Sequence, residues 1–175
     1  MLSINHTLVV VSSNYTHAMS STSPSPKPLT GAEKAFWYAF VRAIVVVPRV
    51  LDAELIDAER LSANEYGALV IMSESEGRQL RMAELAERTS LTVSGMTRVV
   101  QRLVDDGLAE RVQCDEDRRG AFARLTDKGF ERLERAYPVH LEGARRHVID
   151  HLAGFDLAEL AKAFALIGEE QPITR

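Results

Sequence analysis

Residues 82 to 126 constrain the fold more than any other part of the chain, because two short amphipathic segments and a charged hairpin follow one another there. Apolar residues recur at helical spacing in both segments. The first segment runs from Met82 to Thr89, and Leu91 fills the turn that follows it. The second carries an inward stripe of Met96, Val99, Val100 and Leu103. The order predicts a helix, a turn, a second helix and a β-hairpin.

Capping motifs predict further helices on both sides of this segment. Thr30 with Glu33, Ser62 with Glu65, and Asp156 with Glu159 each have the spacing of a capping box. Thr126 is placed to cap another helix, whose apolar positions recur at threes and fours from Phe130 to Leu152. The chain is therefore predicted to be mainly α-helical with a small β-wing, a winged helix-turn-helix between N- and C-terminal helices.

Composition and periodicity divide the chain into four parts. Residues 1–30 lack periodicity and include a Ser/Thr/Pro run, so we expect a disordered tail. Met19 opens that run and is a candidate for the native start, a hypothesis that the intact mass of the native protein would test. An N-terminal dimerisation helix is expected at 31–60, a winged helix-turn-helix at 61–126, and C-terminal dimerisation helices at 127–175. Dimerisation is predicted because the outer helices carry more apolar surface than one small reading domain can cover.

Composition excludes several classes of protein. The single cysteine, Cys114, rules out an internal disulfide framework and a multi-cysteine zinc site. No apolar run approaches the ~20 residues of a spanning helix, and no secretory signal is evident, so a cytoplasmic location is expected. Gly-rich phosphate loops and hydrolase motifs are absent from the sequence, which predicts a protein that is not an enzyme and has no cofactor or metal.

The outward face of the second helix carries short or forked polar groups of the kind that meet base edges in a DNA major groove. The net charge of the chain is −4, but residues 78 to 124 hold nine arginines against eight acidic residues. Local charge therefore permits nucleic-acid binding. The predicted DNA-binding residues of this face are Thr92, Val93, Ser94, Gly95, Thr97, Arg98 and Gln101.

The hairpin tip, Asp115-Glu-Asp-Arg-Arg-Gly120, is too acidic to act as a simple phosphate clamp. Asp117 and Arg119 lie two residues apart, so the carboxylate can hold the guanidinium extended into a narrow minor groove. Arg118 would contact a phosphate or pair with Asp115. These residues predict a wing in which Arg118 and Arg119 bind DNA and Asp117 supports them.

The segment from Leu61 to Gly129 resembles the MarR (multiple antibiotic resistance regulator) family of winged-helix transcription factors. The resemblance includes the Leu91-Thr-Val-Ser-Gly-Met-Thr-Arg98 run, Asp105-Asp-Gly-Leu108 and the Asp117-Arg-Arg wing. It implies a homodimer that binds a pseudopalindromic operator in double-stranded DNA, with the wings in the minor groove. It also implies repression that is relieved by a small aromatic effector.

Several residues have more than one interpretation. Trp37, Tyr38, Phe40 and Tyr66 could line an effector pocket, although core packing explains such residues more often. His147 and His151 have metal-ligand spacing and His140 lies two turns earlier, but no third ligand completes a motif. Cys114 could be a thiol switch or a small buried residue. The alternative function is a winged-helix protein-interaction module that does not bind DNA.

Overall fold

The computed structural model describes residues 26–113 and 121–168. Predicted positions at Met19, Cys114, Asp117, Arg118 and Arg119 lie outside these residues. Helices and a small sheet alternate along the chain, and two short 3₁₀ segments lie at Glu76–Arg78 and Ile149–Leu152. In chain order the elements are α1 (Gly31–Glu59), α2 (Ala63–Glu74), β1 (Gln79–Arg81), α3 (Met82–Arg88), α4 (Val93–Asp105), β2 (Ala109–Gln113), β3 (Ala121–Leu125), α5 (Asp127–His147) and α6 (Leu157–Gly168).

The helix starts follow from their capping side chains. At α1 the Thr30 backbone N–H donates to Glu33 Oε2 at 2.6 Å, and the Thr30 hydroxyl accepts from the Glu33 N–H at 3.3 Å. Ser62 and Glu65 form the same reciprocal pair at α2. These bonds satisfy backbone donors that have no partner inside the helix. Two of the three capping boxes predicted from the sequence are therefore confirmed, while at α6 the Asp156 carboxylate accepts from the Glu159 N–H at 3.1 Å.

The turn between α3 and α4 is a Schellman motif. The N–H of Leu91 donates to the Ala86 carbonyl at 2.9 Å, and the N–H of Ser90 donates to the Glu87 carbonyl at 3.0 Å. Ser90 takes a left-handed conformation, with φ of 55°, which ends the helix in the way that glycine usually does. Leu91 packs against the core as predicted. The turn thus sets the direction in which α4 leaves α3.

The three strands form an antiparallel sheet in the order β1-β3-β2. Ala109 lies opposite Leu125 and Gln113 opposite Ala121, so β2 and β3 are the two arms of the wing. Gly107, with φ of 72°, forms a second Schellman turn between α4 and the wing, in which the Leu108 N–H donates to the Leu103 carbonyl. The fold class expected from the sequence is confirmed.

The core lies where α2, α3, α4, the sheet and the adjoining ends of α1 and α5 meet. Its largest fully buried side chains include three of the four predicted inward residues of α4, and the fourth, Val99, is buried as well. Gly143 lets α5 approach α1 closely, because a Cβ there would lie 2.7 Å from Glu54 Oε2 and 2.8 Å from Leu51 Cδ2. The largest fully buried side chains are Leu55, Leu61, Leu69, Met72, Leu85, Met96, Val100, Leu103 and Leu108.

The C-terminal helix differs from its prediction in length. Its apolar periodicity continues to Leu152, but α5 ends at His147 and a 3₁₀ segment follows. Val148 breaks the helix with φ of −133° and ψ of −68°. Tyr137 and Leu141, two positions of the predicted apolar stripe, are exposed in the single chain. Periodicity alone could not place this end, because it does not report where the chain turns toward α6.

Candidate nucleic-acid interface

Helix α4 is anchored to the core by its apolar stripe and is capped at its start by Thr92. The Thr92 hydroxyl accepts a hydrogen bond from the Gly95 N–H at 3.1 Å and lies 3.2 Å from the Ser94 hydroxyl. An N-cap of this kind stabilises a helix by about 1 kcal/mol. A Cβ at Gly95 would lie 3.1 Å from Thr92 Oγ1, so the glycine leaves room for the cap. The first turn of α4 is therefore held in one conformation.

The predicted reading residues of α4 lie together on its exposed face. Val93 is 55% exposed at the first turn. Thr97 donates its hydroxyl proton to the Val93 carbonyl at 2.8 Å, so the oxygen remains an acceptor. Gln101 donates its amide to Asp105 Oδ1 at 2.8 Å, which leaves its carbonyl oxygen free to accept. The other exposed members are Thr92, Ser94 and Arg98, while Gly95 is half-buried.

The charges of this surface are arranged to suit an anion. Within the described ranges, α4 is the helix whose first turn carries no acidic residue, whereas Glu33, Glu65, Glu84, Asp127 and Glu159 begin the others. A carboxylate there would repel a phosphate approaching the positive end of the helix. The first turn of α4 is thus the helix start best suited to approach nucleic acid.

The arginines of the winged helix-turn-helix differ in whether a carboxylate pairs with them. Arg88, Arg102 and Arg124 pair with Glu84, Glu65 and Glu110 at 2.8, 2.8 and 2.6 Å. Arg98, on the exposed face of α4, has no carboxylate within salt-bridge distance in the part of the chain that the structure describes. Its guanidinium is therefore available for a base edge or a phosphate.

The sequence interpretation missed Arg111, on β2. Its guanidinium donates to the Thr97 carbonyl at 3.3 Å and so joins the wing to α4. Together with Arg81 and Val93 it borders a cleft of about 330 Å³ between the start of α3, the first turns of α4 and the base of the wing. Alternation places Arg111 on the same face of β2 as buried Ala109, but Arg111 itself is exposed, so no local signal in the sequence indicates its bond to Thr97.

The four predicted effector residues fall into two separate groups. Trp37 and Phe40 contact each other in the N-terminal half of α1, with ring centroids 6.2 Å apart, and Phe40 contacts Phe164 of α6 at 5.8 Å. Tyr38 lies on the same half of α1 and is 61% exposed. Tyr66 instead packs against His140, with ring centroids 4.6 Å apart and ring planes tilted by 35°. Helical spacing could not reveal this separation, because α1 is long enough to carry its N-terminal half away from α2.

Tyr66 borders a cavity of about 410 Å³ between α2 and α5. Phe130, Leu133 and Tyr137 of α5 and Val70, Ser73 and Glu74 of α2 complete most of its wall. Burial raises the pKa of the Tyr66 phenol, and the neighbouring Tyr137 adds to that shift. Burial also lowers the pKa of His140, whose Nδ1 is buried without a hydrogen-bond partner. Both shifts favour the neutral forms, of Tyr66 at the cavity and of His140 against the Tyr66 ring.

The histidine pair on α5 and its continuation has no metal-site geometry. His147 Nε2 donates to Glu54 Oε1 at 2.7 Å, and Arg146 donates to the same oxygen at 2.9 Å. This bond from His147 lowers the pKa of Glu54, and Arg146 acts in the same direction. Residues 26–113 and 121–168 contain no group of three or more His, Cys, Asp or Glu side chains that could hold a metal. His147 instead joins α5 to α1.

The described helices include none that is both long and apolar enough to span a bilayer. The fold is a helix-turn-helix with a wing, and the exposed face of α4 can accept an anion. These features define a winged-helix protein of the transcription-regulator class. A model of the MarR family matches residues 61–120.

Solved structures agree over most of the chain. Sco3205, a MarR family transcriptional regulator from Streptomyces coelicolor solved in complex with DNA, is 34% identical, with a TM-score of 0.78 over 86% of this chain and 95% of that one. AbsC, another MarR family regulator of that organism, is 36% identical, with a TM-score of 0.74 over 81% of this chain and 95% of its own. The chain belongs to the MarR family, whose members are regulators of transcription and not enzymes.

Curated relatives match shorter segments. The transcriptional repressor YetL of Bacillus subtilis is 31% identical over 80 residues, which are 46% of this chain and 48% of that protein. The chain thus aligns with about half of the length of this relative.

Proposed function

We propose that this chain binds double-stranded DNA sequence-specifically and regulates transcription in the cytoplasm, as a repressor. The observation that supports this proposal is the exposed, acid-free start of α4, which presents Val93, Thr97 and Arg98 beside the wing. A helix that carries such groups on its first turns fits a major groove, with its N-terminal residues toward the bases.

The chemistry of each side chain suggests what it would contact. Arg98 can donate two hydrogen bonds to guanine O6 and N7, and Val93 can pack against a thymine methyl group. The carbonyl oxygen of Gln101, whose amide is held by Asp105, can accept from the amino group of adenine or cytosine. These contacts would give α4 a preference for a short sequence.

The wing supplies the second proposed contact. We assign Arg119 to the minor groove and Arg118 to a phosphate, with Asp117 holding Arg119 extended. The support is the sequence of the hairpin tip, since these residues lie outside the described ranges. The strands on either side of the tip, β2 and β3, are paired in regular antiparallel register.

A homodimer is proposed because apolar side chains remain exposed at the two ends of the chain. Trp37 and Tyr38 on α1 are 52% and 61% exposed, and Phe164, Leu166 and Ile167 on α6 are 46 to 67% exposed. Patches of this kind mark association surfaces. A two-fold dimer through α1 and α6 would bury them and place two copies of α4 ~34 Å apart, on successive major grooves of a pseudopalindrome.

A small aromatic effector is proposed for the cavity between α2 and α5. Of the four aromatic residues predicted from the sequence to bind an effector, Tyr66 borders this cavity. Phe130 and Tyr137, which were not predicted to do so, also line it. Trp37, Tyr38 and Phe40 are assigned to the dimer contacts instead. An effector that wedges α2 from α5 would move the reading domain relative to the dimer helices and change the spacing of the two α4 helices.

Protection of the DNA that flanks the gene of this protein tests the proposal. We expect a symmetric footprint with two half-sites, weakened by about 1 to 3 kcal/mol in Arg98→Ala if this side chain makes a specific base contact. Arg88→Ala is the matched control, since Arg88 already pairs with Glu84. Absence of protection at low salt would contradict DNA binding and favour the protein-interaction alternative.

A further inference from the structure

The cleft at the base of the wing has the character of an anion site. Its walls come from the β1–α3 junction, the first two turns of α4 and the two wing strands. Among the described residues that line it, two are arginines and none is acidic, and they are Arg81, Met82, Ala83, Val93, Thr97, Arg111 and Ala121. Arg81 also lies over the Phe122 ring, with its guanidinium carbon 5.0 Å from the ring centre.

One hydrogen bond holds the Arg111 guanidinium at this cleft, and its other N–H groups remain available as donors. One nitrogen of its guanidinium donates to the Thr97 carbonyl at 3.3 Å. A guanidinium has five N–H donors in a planar fork, so anchoring one leaves the others to face an anion. Within the described ranges Arg111 has no carboxylate partner, unlike Arg124 of the neighbouring strand.

The position of Arg111 beside α4 decides which part of DNA it would meet. A helix with its side chains is about 10 to 12 Å wide and fills a major groove about 12 Å wide. A group that lies on the flank of the helix, rather than on the face that carries Arg98, therefore meets the wall of the groove. The phosphate backbone forms that wall.

We propose that Arg111 binds a DNA backbone phosphate at this cleft while anchored to the Thr97 carbonyl. It thereby sets the depth and rotation of α4 in the groove and contributes no base preference. This inference rests on the proposed function, because it requires that α4 enter a major groove. It assigns to Arg111 a role of positioning on the phosphate, distinct from the base contact of Arg98.

The test is the salt dependence of binding to a duplex recovered by in vitro selection with the full-length protein. Neutralising one phosphate contact contributes a slope of about 0.9 in log K against log salt. Arg111→Gln should lower the slope by about 1.8 for a dimer. The affinity deficit of the variant should therefore grow roughly twelvefold from 0.2 to 0.05 M salt. Arg111→Lys, which keeps the charge, should retain the wild-type slope.

Arg124→Gln is the matched control, since Arg124 lies on the opposite face of the same sheet and is paired with Glu110 at 2.6 Å. Its slope should equal that of the wild type. Thermal melting of each variant shows that it is folded. A second measurement compares single-base variants of the duplex, and Arg111→Gln should weaken binding to all of them by the same factor.

The outcomes separate this inference from the proposed function. A wild-type protein that binds no duplex contradicts the proposed function. A wild type that binds, with an unchanged slope in a folded Arg111→Gln, overturns the phosphate contact alone. A loss of preference at one base pair also overturns it, because it would make Arg111 a base-reading residue.

Discussion

At the scale of single residues, the structure separates side chains of one type by their partners. Arg102 is paired with the buried carboxylate of Glu65 and supports the fold, whereas Arg98, four residues earlier on the same helix, has no such partner in the described ranges. His140 and His147 differ in the same way. His140 is partly buried against Tyr66, whereas His147 donates to Glu54. Residue type and spacing alone could not separate these roles.

His140 should make the stability of the protein depend on pH. Burial lowers its pKa below the ordinary 6.5, so the folded protein holds it neutral while the unfolded chain binds a proton. The contribution of neutral His140 to the free energy of unfolding is therefore fully present above about pH 6.5 and is lost as the pH falls below that value. We expect the melting temperature to fall less between pH 7.5 and 5.5 in His140→Phe than in the wild type. An equal fall in both proteins would contradict a neutral His140 in the folded state.

At the scale of the elements, turns and close contacts decide how the helices meet. The Schellman turn after α3 orients α4, and the Schellman turn after α4 orients the wing. Both turns are formed by local backbone hydrogen bonds. Gly129 at the start of α5 serves a different purpose. A Cβ there would overlap the Leu108 carbonyl oxygen, which belongs to the start of the wing. The glycine therefore lets α5 begin directly against the wing.

Two glycine-to-alanine substitutions should change stability in opposite directions. Gly129→Ala should lower the free energy of unfolding by about 1 to 3 kcal/mol, because the backbone of Leu108 must move. Gly67→Ala, inside α2, should raise it by about 0.5 to 1 kcal/mol, since a Cβ there meets nothing within 4 Å and alanine favours the helix. Chemical denaturation of both variants measures the difference. A neutral Gly129→Ala would show that α5 and the wing are not closely packed.

At the scale of the whole molecule, the single chain leaves apolar side chains uncovered on its first and last described helices. The core of the reading domain is closed, while α6 and the N-terminal half of α1 expose aromatic and aliphatic side chains. Exposed apolar area on this scale is stabilised by association rather than by the chain itself. The reading surface and the proposed dimer surface lie on different helices.

Because the two surfaces are separate, one substitution should disrupt the dimer and another should disrupt DNA binding without affecting the dimer. Leu166→Glu on α6, where the side chain is 67% exposed, should shift the protein from dimer to monomer. Val93→Glu on α4, 55% exposed, should preserve the dimer and abolish operator binding, because a carboxylate would face the phosphates. Analytical ultracentrifugation and DNA titration measure the two properties. A dimeric Leu166→Glu protein would move the interface away from the end of α6.

The sequence by itself determined the elements whose causes are local. Capping boxes marked where α1 and α2 start, Thr92 marked the start of α4, and apolar spacing identified the inward residues of α4. These signals could be read because a cap or a stripe is encoded within a few neighbouring residues. The exposed face of α4, with Ser94, Thr97 and Arg98, was predicted by the same periodicity.

Only the tertiary structure decided the contacts between elements distant in sequence. It placed Tyr66 against His140 and apart from Trp37, and it joined Arg111 of the wing to Thr97 of α4. It also ended α5 at His147, although the apolar pattern continues. Such contacts depend on the angles at which helices and strands leave their turns. Those angles come from packing of the whole core, so no local window of sequence contains them.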